Sequence, residues 1–257
     1  TNKIDFDKMP FKEALEKDMK VMAWDDELGW GSYNHVQVFN HPTTQYTKKE
    51  SKYAYVKSMI PGDLTSLEWV QDDTFSHALS GSVIEVYYAP LNFKDIMHAT
   101  GRLPLDAHPG GYETVISCGS LLGLEFAGKD KNGNRVMGMI PHKALATKIV
   151  VDDSDFLWPV PSQWTLEEAC TIPVVYSTAY YALIIRGKLL ENESILIHSG
   201  SGGVGYAAIT ICLSMNCKVF TTVGTPEKRE FLKKHFPSLK DNQIFNSRDT
   251  TFQEDVM

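Results

Sequence analysis

Cysteine is scarce in this sequence, and the four that occur are scattered along the chain: Cys118, Cys170, Cys212 and Cys217. Such scattering argues against the disulfide framework that small secreted domains use. Cys212 and Cys217 flank the end of a predicted helix, where we interpret them as small core residues rather than a reactive pair. The cysteine usage is typical of a reducing compartment, and we expect a cytoplasmic protein.

Long hydrophobic runs and an excess of positive charge are also missing. No stretch approaches the roughly 18 uninterrupted apolar residues of a membrane span, and residues 1–7 do not resemble a signal peptide. The formal net charge is −7, which offers no electrostatic footprint for a phosphate backbone. These absences argue against a membrane or a nucleic acid as partner. The 257 residues suffice to bury a sizeable core in one or two domains.

The sequence does contain a glycine-rich turn between a predicted strand and a predicted helix. Residues 195–198 are apolar, and Gly200, Gly202 and Gly205 follow with the spacing G-x-G-x-x-G. A second strand is predicted over 218–223, after a helix whose apolar positions repeat at helical spacing. This order predicts the dinucleotide-binding turn of a Rossmann unit, in which a helix N-terminus receives the pyrophosphate.

The residues after the second predicted strand bear on the choice of cofactor. A site that prefers NAD places an acidic side chain there, which accepts hydrogen bonds from the ribose 2′-hydroxyl. This sequence instead offers hydroxyl groups and two cations, Lys228 and Arg229. Cations favour NADPH, because they would bind its 2′-phosphate. The alternative is that Lys228 and Arg229 only form a solvated helix face.

Upstream of this unit, short alternating segments separated by glycine and proline predict a compact β-rich domain, for which a barrel is the natural architecture. Residues 83–89 and 144–151 are typical of strands, residues 11–21 predict an amphipathic helix, and residues 25–35 predict a hairpin. Only three strands are predicted after residue 190, which is half of a doubly wound sheet. We therefore expect an incomplete chain.

Collinear motifs carry a family resemblance, and they lie at 87–97, 122–128, 173–183, 198–205, 220–224 and 246–250. They resemble the enoyl reductase region of an animal-type (insect-like) fatty acid synthase, within the medium-chain dehydrogenase/reductase superfamily. The resemblance implies an α/β protein with a β-rich, GroES-like catalytic domain followed by an incomplete Rossmann domain. It implies that residues 1–58 end a ketoreductase-like or linker region, that 59–165 form the GroES-like part, and that 166–257 form the truncated NADPH-binding part.

The resemblance also implies an activity: NADPH-dependent reduction of a 2-enoyl thioester carried by an acyl carrier protein. The parent would be a homodimeric, multifunctional fatty acid synthase with its other domains on the same polypeptide. Its site would stabilise an enolate oxygen and protonate the α-carbon. No metal is implied, since the cysteines are dispersed and no H-E-x-x-H motif occurs. We interpret His98, His108 and His142 as surface or packing residues.

The residues that the resemblance predicts to bind the cofactor are Thr178, Ser201, Gly202, Gly203, Val204, Thr222 and Lys228. Residues 201–204 would cradle the pyrophosphate, while Thr222 and Lys228 would lie near the adenosine phosphate. The residues predicted to border the substrate cleft are Asn92, Phe93 and Asp95. A structural role is equally open for all three, since they could cap a turn and a helix or fill the core. No catalytic acid is assigned.

Three alternatives stay open beside the fatty acid synthase. A polyketide synthase enoyl reductase would share every motif, and a free-standing quinone reductase would share the fold. Activity on a crotonyl thioester but not on a quinone would reject the quinone reductase. The third alternative is a catalytically inactive piece that acts in binding or as a scaffold, which predicts weak NADPH affinity and no turnover.

Overall fold

The computed structural model describes most of the chain. The described residues are 22–25, 29–32, 50–60, 62–71, 81–103, 120–152 and 155–256. The chain divides into two compact units, Thr1–Lys49 and Glu50–Met257. The predicted helix at 11–21 lies outside the described residues, as do Cys118 and His108. The three-part domain division implied by the resemblance stays a prediction.

The first unit contains a hairpin, as predicted. Strands β1 (Met22–Asp25) and β2 (Gly29–Ser32) are antiparallel, with Trp24 paired with Trp30. The hairpin begins earlier in the chain than the predicted range 25–35, because the glycines of that range belong to the second strand and not to the turn.

The second unit begins with another antiparallel pair, β3 (Ala54–Ser58) and β4 (Leu67–Gln71). A short 3-10 turn, Leu64–Ser66, leads into β4, and its N-cap Asp63 accepts a hydrogen bond from the backbone N–H of Thr65. An isolated bridge between Tyr55 and Ala146 joins the pair to the rest of the unit.

A five-stranded antiparallel sheet confirms the predicted β-rich part. Its strands are β5 (Ser82–Tyr88), β6 (Glu125–Asp130), β7 (Arg135–Met139), β8 (Lys148–Val151) and β9 (Phe156–Pro159), in the order β8-β5-β6-β7-β9. Buried Ile84, Phe126, Val136 and Ile149 form its core, because alternate residues of a strand point to one face. A register shift between Val86 and Tyr88 bends β5 before helix α1 (Phe93–Ala99) begins.

Two helices connect this sheet to a second, parallel sheet. They are α2 (Leu166–Ala169) and α3 (Pro173–Tyr180), and a π-helical segment, Tyr181–Arg186, continues α3. Thr165 caps α2 with its hydroxyl, and Pro173 occupies the first position of α3, where its missing N–H costs no helical hydrogen bond.

The parallel sheet confirms the predicted Rossmann unit. Its elements are β10 (Ser194–His198), α4 (Gly203–Ser214), β11 (Lys218–Val223), α5 (Pro226–His235), β12 (Ile244–Asn246) and α6 (Phe252–Val256), with strand order β10-β11-β12. Ile209, Val219 and Leu232 fill its core, together with Cys212 and Cys217. Both cysteines are therefore buried packing residues, as predicted from the sequence.

Residues Leu166–Arg186 form a helical run that is long and apolar enough to cross a membrane, with a mean hydropathy of 1.2. Length and hydropathy are weak evidence on their own, because helices of soluble proteins pass the same test. Here α3 packs on α4 and lines a cleft. Its apolar composition is accounted for in part by these contacts.

Candidate active site

The glycine-rich turn links the end of β10 to the start of α4. Ser199 adopts a left-handed conformation with φ of 58°, and the N–H of Gly200 donates to the carbonyl of Thr222 at 3.1 Å. A Cβ at Gly205 would collide with the carbonyl oxygen of Ser199 and stand 2.8 Å from the Cα of Gly200. Gly205 thus allows the first turn of α4 to pack directly against the end of β10.

The N-terminus of α4 suits an anion. Gly202 is its N-cap and contributes no side-chain hydrogen bond, and among the described residues no side chain caps the N–H groups of this first turn. Ser201 is half-buried, while Gly202, Gly203 and Val204 are exposed at this end of the helix. The structure therefore brings together the four residues that were predicted to cradle a pyrophosphate.

Helix α3 lies beside this turn. A Cβ at Gly203 would stand 3.1 Å from Cγ1 of Val175, which shows how closely the two helices approach. Thr178 follows Val175 by three residues, so both lie on the same side of α3, and Thr178 is exposed. Thr178 is thus placed where a cofactor bound at the turn could meet it.

The structure gives Thr222 and Lys228 different environments. Thr222 is fully buried, and its hydroxyl lies 3.1 Å from Nδ1 of His198 and accepts a hydrogen bond from the N–H of Ser199 at 3.4 Å. The Thr222 side chain thus holds the glycine-rich turn from the side of the parallel sheet. Lys228 is exposed on the first turn of α5, where Thr225 caps its backbone N–H.

A further cation, Arg248, was not predicted from the sequence to belong to the site. Its guanidinium lies 3.0–3.2 Å from where a Cβ of Gly224 would stand, at the end of β11. Arg229, in contrast, donates to the backbone carbonyls of Ile244 and Asp241 and is committed to holding β12. The sequence alone could not show that Arg248 lies at the end of β11 while Arg229 holds β12, because this difference depends on how the segment after α5 folds.

Two carboxylates are buried where α1 meets the five-stranded sheet. Asp95 is 3% exposed and accepts hydrogen bonds from the backbone N–H of Gly123 at 2.7 Å and of Asn92 at 2.8 Å. Glu125 is 2% exposed and accepts from the side-chain amide of Asn92 at 3.0 Å and from the N–H of Val174 at 2.7 Å. Asn92 and Asp95 were predicted from the sequence as site residues. Glu125 was not predicted as a site residue, although it belongs to the motif at 122–128.

Burial raises the pKa of both carboxyl groups, because removal from water disfavours the charged form. The hydrogen bonds from the backbone and from Asn92 partly offset this effect on the pKa of Glu125. Phe93, by contrast, is 75% exposed, so it does not belong to the core as the structural alternative proposed.

An apolar cleft of about 810 Å³ lies between the sheet and α3. Its lining residues are Leu124, Met139, Ile140, Pro141, Asp155, Phe156, Trp158, Val174, Ser177, Thr178, Tyr181 and Ala182. Phe156 and Trp158 stack with ring centroids 5.8 Å apart. Asn92 and Asp95 do not line this cleft; Asn92 is connected to it through Glu125 and Val174.

Metal-ligating side chains do not converge in the described part of the chain, where no group of three or more His, Cys, Asp or Glu residues could hold an ion. His98 is buried in α1 and His142 is half-buried. Burial raises the pKa of the Cys170 thiol to about 11, with the charges of Glu125 and Glu167 acting in the same direction. Cys170 is therefore an inert packing residue.

Comparison with known proteins relates the chain to reducing polyketide synthases. No protein-family model matches it. The highly reducing polyketide synthase claI of Penicillium crustosum is 38% identical over 195 residues, and the reducing polyketide synthase rdc5 of Metacordyceps chlamydosporia is 34% identical over 261 residues. The alignments cover 74% and 96% of this chain but only 8% and 11% of those proteins. These relatives are not animal-type fatty acid synthases, which corrects the expected kind of synthase.

Solved structures show the same fold. The crystal structure of CurK enoyl reductase has a TM-score of 0.70 and 29% identity, over 80% of this chain and 63% of that chain. The quinone oxidoreductase from Thermus thermophilus, also solved in complex with NADPH, has a TM-score of 0.54 and 27% identity, over 68% and 54%. The chain thus has the enoyl reductase fold of the medium-chain dehydrogenase/reductase superfamily, and the predicted fold class is confirmed.

Proposed function

We propose that this chain is the enoyl reductase region of a reducing polyketide synthase and reduces 2-enoyl thioesters with NADPH. The main support for this proposal is the position of α3, which lies beside the glycine-rich turn and also lines the apolar cleft. One helix therefore faces both a dinucleotide site and a space suited to an acyl chain. The polyketide synthase relatives and the CurK enoyl reductase structure support this assignment.

The residues present fit a dinucleotide. The uncapped first turn of α4 supplies N–H donors for the pyrophosphate, and Gly205 keeps that turn close to the sheet. Lys228 and Arg248 are the cations available for a 2′-phosphate near the end of β11, which favours NADPH over NADH. When bound, NADPH supplies the hydride.

The cleft suits the substrate. Its walls are mostly apolar, which suits an acyl chain, and Ser177 and Thr178 are hydroxyl groups on its α3 side. A 2-enoyl thioester develops negative charge on its carbonyl oxygen during hydride addition, so hydrogen-bond donors near that oxygen would lower the barrier. We assign no proton donor.

The proposed partners follow from the same assignment. We propose that the thioester is delivered by an acyl carrier protein and that the reductase works in the cytoplasm, beside other domains of the same polypeptide in a homodimer. The relatives are themselves long proteins of which this chain spans about a tenth, which supports the shared polypeptide.

A fatty acid synthase is the second candidate, because the motifs at 87–97 and 173–183 resemble the animal-type enzyme. Both kinds of synthase perform the same reduction. Mass spectrometry of the products that the natural polypeptide releases would separate them. Straight saturated acids would support the fatty acid synthase, and partly reduced or branched chains would support the polyketide synthase.

The activity itself is tested with the natural polypeptide that carries this chain, a crotonyl thioester of pantetheine, and either NADPH or NADH. We expect NADPH oxidation that depends on the thioester and forms the butyryl product. Turnover of a quinone but not of the thioester would support the quinone reductase alternative instead. Weak NADPH binding with no turnover of either substrate would support the inactive binding or scaffold piece.

A further inference from the structure

The Glu125 carboxylate joins two segments that are far apart in sequence. One oxygen accepts the side-chain amide of Asn92 at 3.0 Å, and the other accepts the backbone N–H of Val174 at 2.7 Å. Glu125 is 2% exposed, so water does not replace either partner. A buried carboxylate is tolerated at such a place because both of its oxygens are hydrogen-bonded.

One of the two segments lines the apolar cleft, and the other was predicted from the sequence to border the substrate. Asn92 immediately precedes α1, and its own N–H is fixed by Asp95, which also binds the N–H of Gly123. Val174 belongs to the first turn of α3 and lines the apolar cleft, as do Ser177 and Thr178 one turn later.

The charge of Glu125 also suits the start of α3. The N–H groups of a first helical turn have no partner within the helix, and the positive end of the helix dipole favours an anion. Ile172, the N-cap of α3, supplies no side-chain hydrogen bond. Glu125 reaches across from β6 and provides the acceptor that the local sequence lacks.

We propose that Glu125 is a positioning residue of the reductase, holding the segment at Asn92 against the first turn of α3 and thereby setting the geometry of the cleft. The inference rests on the proposed function, because it assigns this geometry to enoyl reduction. A displacement of about 1 Å in a site of this kind can lower the rate by about 100-fold. Glu125 does not itself need to touch the substrate or the cofactor.

The arrangement allows a test by exchanging donor and acceptor. Glu125→Gln places an amide against two donors, so one hydrogen bond is lost. Asn92→Asp places two carboxylates together. The double variant Asn92→Asp/Glu125→Gln restores a donor and an acceptor at the same places. Its new amide at position 125 can donate to the new carboxylate at position 92, while the amide oxygen still accepts from Val174.

In the natural polypeptide, we expect each single variant to lower kcat for the crotonyl thioester about tenfold, with a smaller change in KM, and the double variant to recover most of that loss. Glu168→Gln is the matched control. Glu168 makes the equivalent carboxylate contact to a helix N-terminus at Thr165, but Glu168 is exposed. We expect its kcat to stay unchanged.

Additive losses in the double variant would overturn the proposal, and so would equal losses in Glu125→Gln and Glu168→Gln. If Glu125→Gln does not fold, Asn92→Leu removes the amide and leaves the bond to Val174 intact. We then expect a lower kcat together with a lower thermal stability, because one buried oxygen of Glu125 loses its donor. An unchanged kcat in the folded variant would overturn the proposal.

A second readout separates this inference from the proposed function. Hydrogen exchange at the amide of Val174 reports the contact without any turnover, and we expect faster exchange in Glu125→Gln and recovery in the double variant. If the wild-type protein fails to reduce the thioester, the proposed function fails, while the exchange data still decide whether Glu125 holds α3. Unchanged exchange in Glu125→Gln would overturn the structural part.

Discussion

The N-termini of α3 and α4 lie close together near the candidate active site, and their first turns have different surroundings. The first turn of α3 is occupied by a carboxylate of the protein, because Glu125 accepts the N–H of Val174. The first turn of α4 follows a glycine N-cap, and no side chain in the described part of the chain is bound to it. The N-terminus of α3 thus helps to hold the fold together, and the N-terminus of α4 is the one that we propose for the cofactor.

The same contrast runs through the two sheets around these helices. Charged groups are buried beside the antiparallel sheet, at Asp95 and Glu125, where backbone N–H groups fix them. Beside the parallel sheet, the buried polar groups are the hydroxyls of Thr221 and Thr222, and the cation Lys228 stays exposed. The buried carboxylates of the antiparallel part therefore fix its backbone, whereas the positive charge of Lys228 in the parallel part stays accessible from solvent.

The largest effect is expected from removing the close approach at α4. Gly205→Ala would drive a Cβ into the carbonyl of Ser199, which is backbone and cannot rotate away. We expect a loss of about 2 kcal/mol or more in the free energy of unfolding, together with a loss of NADPH binding. Chemical denaturation and NADPH fluorescence titration measure the two effects.

Gly202→Ala is the control within the same turn. Its Cβ would stand 3.4 Å from the Ser199 carbonyl oxygen, at the edge of an ordinary contact, and its φ of −80° suits any residue. Its folding stability should stay within about 0.5 kcal/mol of the wild type. Equal destabilisation by the two substitutions would show that α4 does not approach β10 as described.

A similar loss is expected from removing a buried carboxylate on the antiparallel side. Asp95→Ala leaves the N–H groups of Gly123 and Asn92 without their acceptor. We expect a cost of about 2–4 kcal/mol in the free energy of unfolding, measured by chemical denaturation. The control Glu85→Ala breaks an exposed pair with Lys148 and should cost about 1 kcal/mol or less. A small cost at Asp95 would remove the contrast between the two sheets.

The exposed cations of the parallel side should set the cofactor preference. Lys228→Glu and Arg248→Ala are each expected to lower the ratio of NADPH to NADH affinity about tenfold, because each removes a positive charge near the 2′-phosphate. Lys240→Glu, an exposed residue after α5, is the control for a general change of charge. An unchanged ratio in Lys228→Glu would refute the assignment of Lys228, and titration with both cofactors gives the ratios.

Local pattern was sufficient to predict the parallel half. The strand at 195–198, the three glycines and the strand at 218–223 are contiguous, and each signal acts over a few residues. The cap of α5 by Thr225 and the burial of Cys212 follow from the same short-range rules. The sequence predicted that the part before residue 166 is rich in β-strands, but it did not predict the order of the strands in the sheet.

The missed residues have partners distant in sequence. Glu125 is recognisable only in the folded chain, because its partner Val174 lies 49 positions further along the sequence. Arg248 lies beside Gly224 for the same reason, while the neighbouring candidate Arg229 turns inward to β12. The burial of Thr222 could not be predicted either, because it depends on the position of its hydroxyl beneath the glycine-rich turn; its place near the adenosine phosphate stays a prediction.

The smallest effect concerns pH and the carboxylate of Glu125 at the N-terminus of α3. Burial raises the pKa of Glu125 in the folded protein above its usual value of 4.5. The contribution of Glu125 to the free energy of unfolding is therefore largest at low pH, where its carboxyl group is protonated. This contribution is lost as the pH rises from the usual value through the raised pKa. Glu125→Gln does not titrate, so we expect the wild type to lose stability relative to this variant over that pH range. Denaturation midpoints of both proteins across the range provide the measurement. The opposite slope would mean that the bonds from Asn92 and Val174 outweigh the cost of burial, and that α3 draws net stability from the charge.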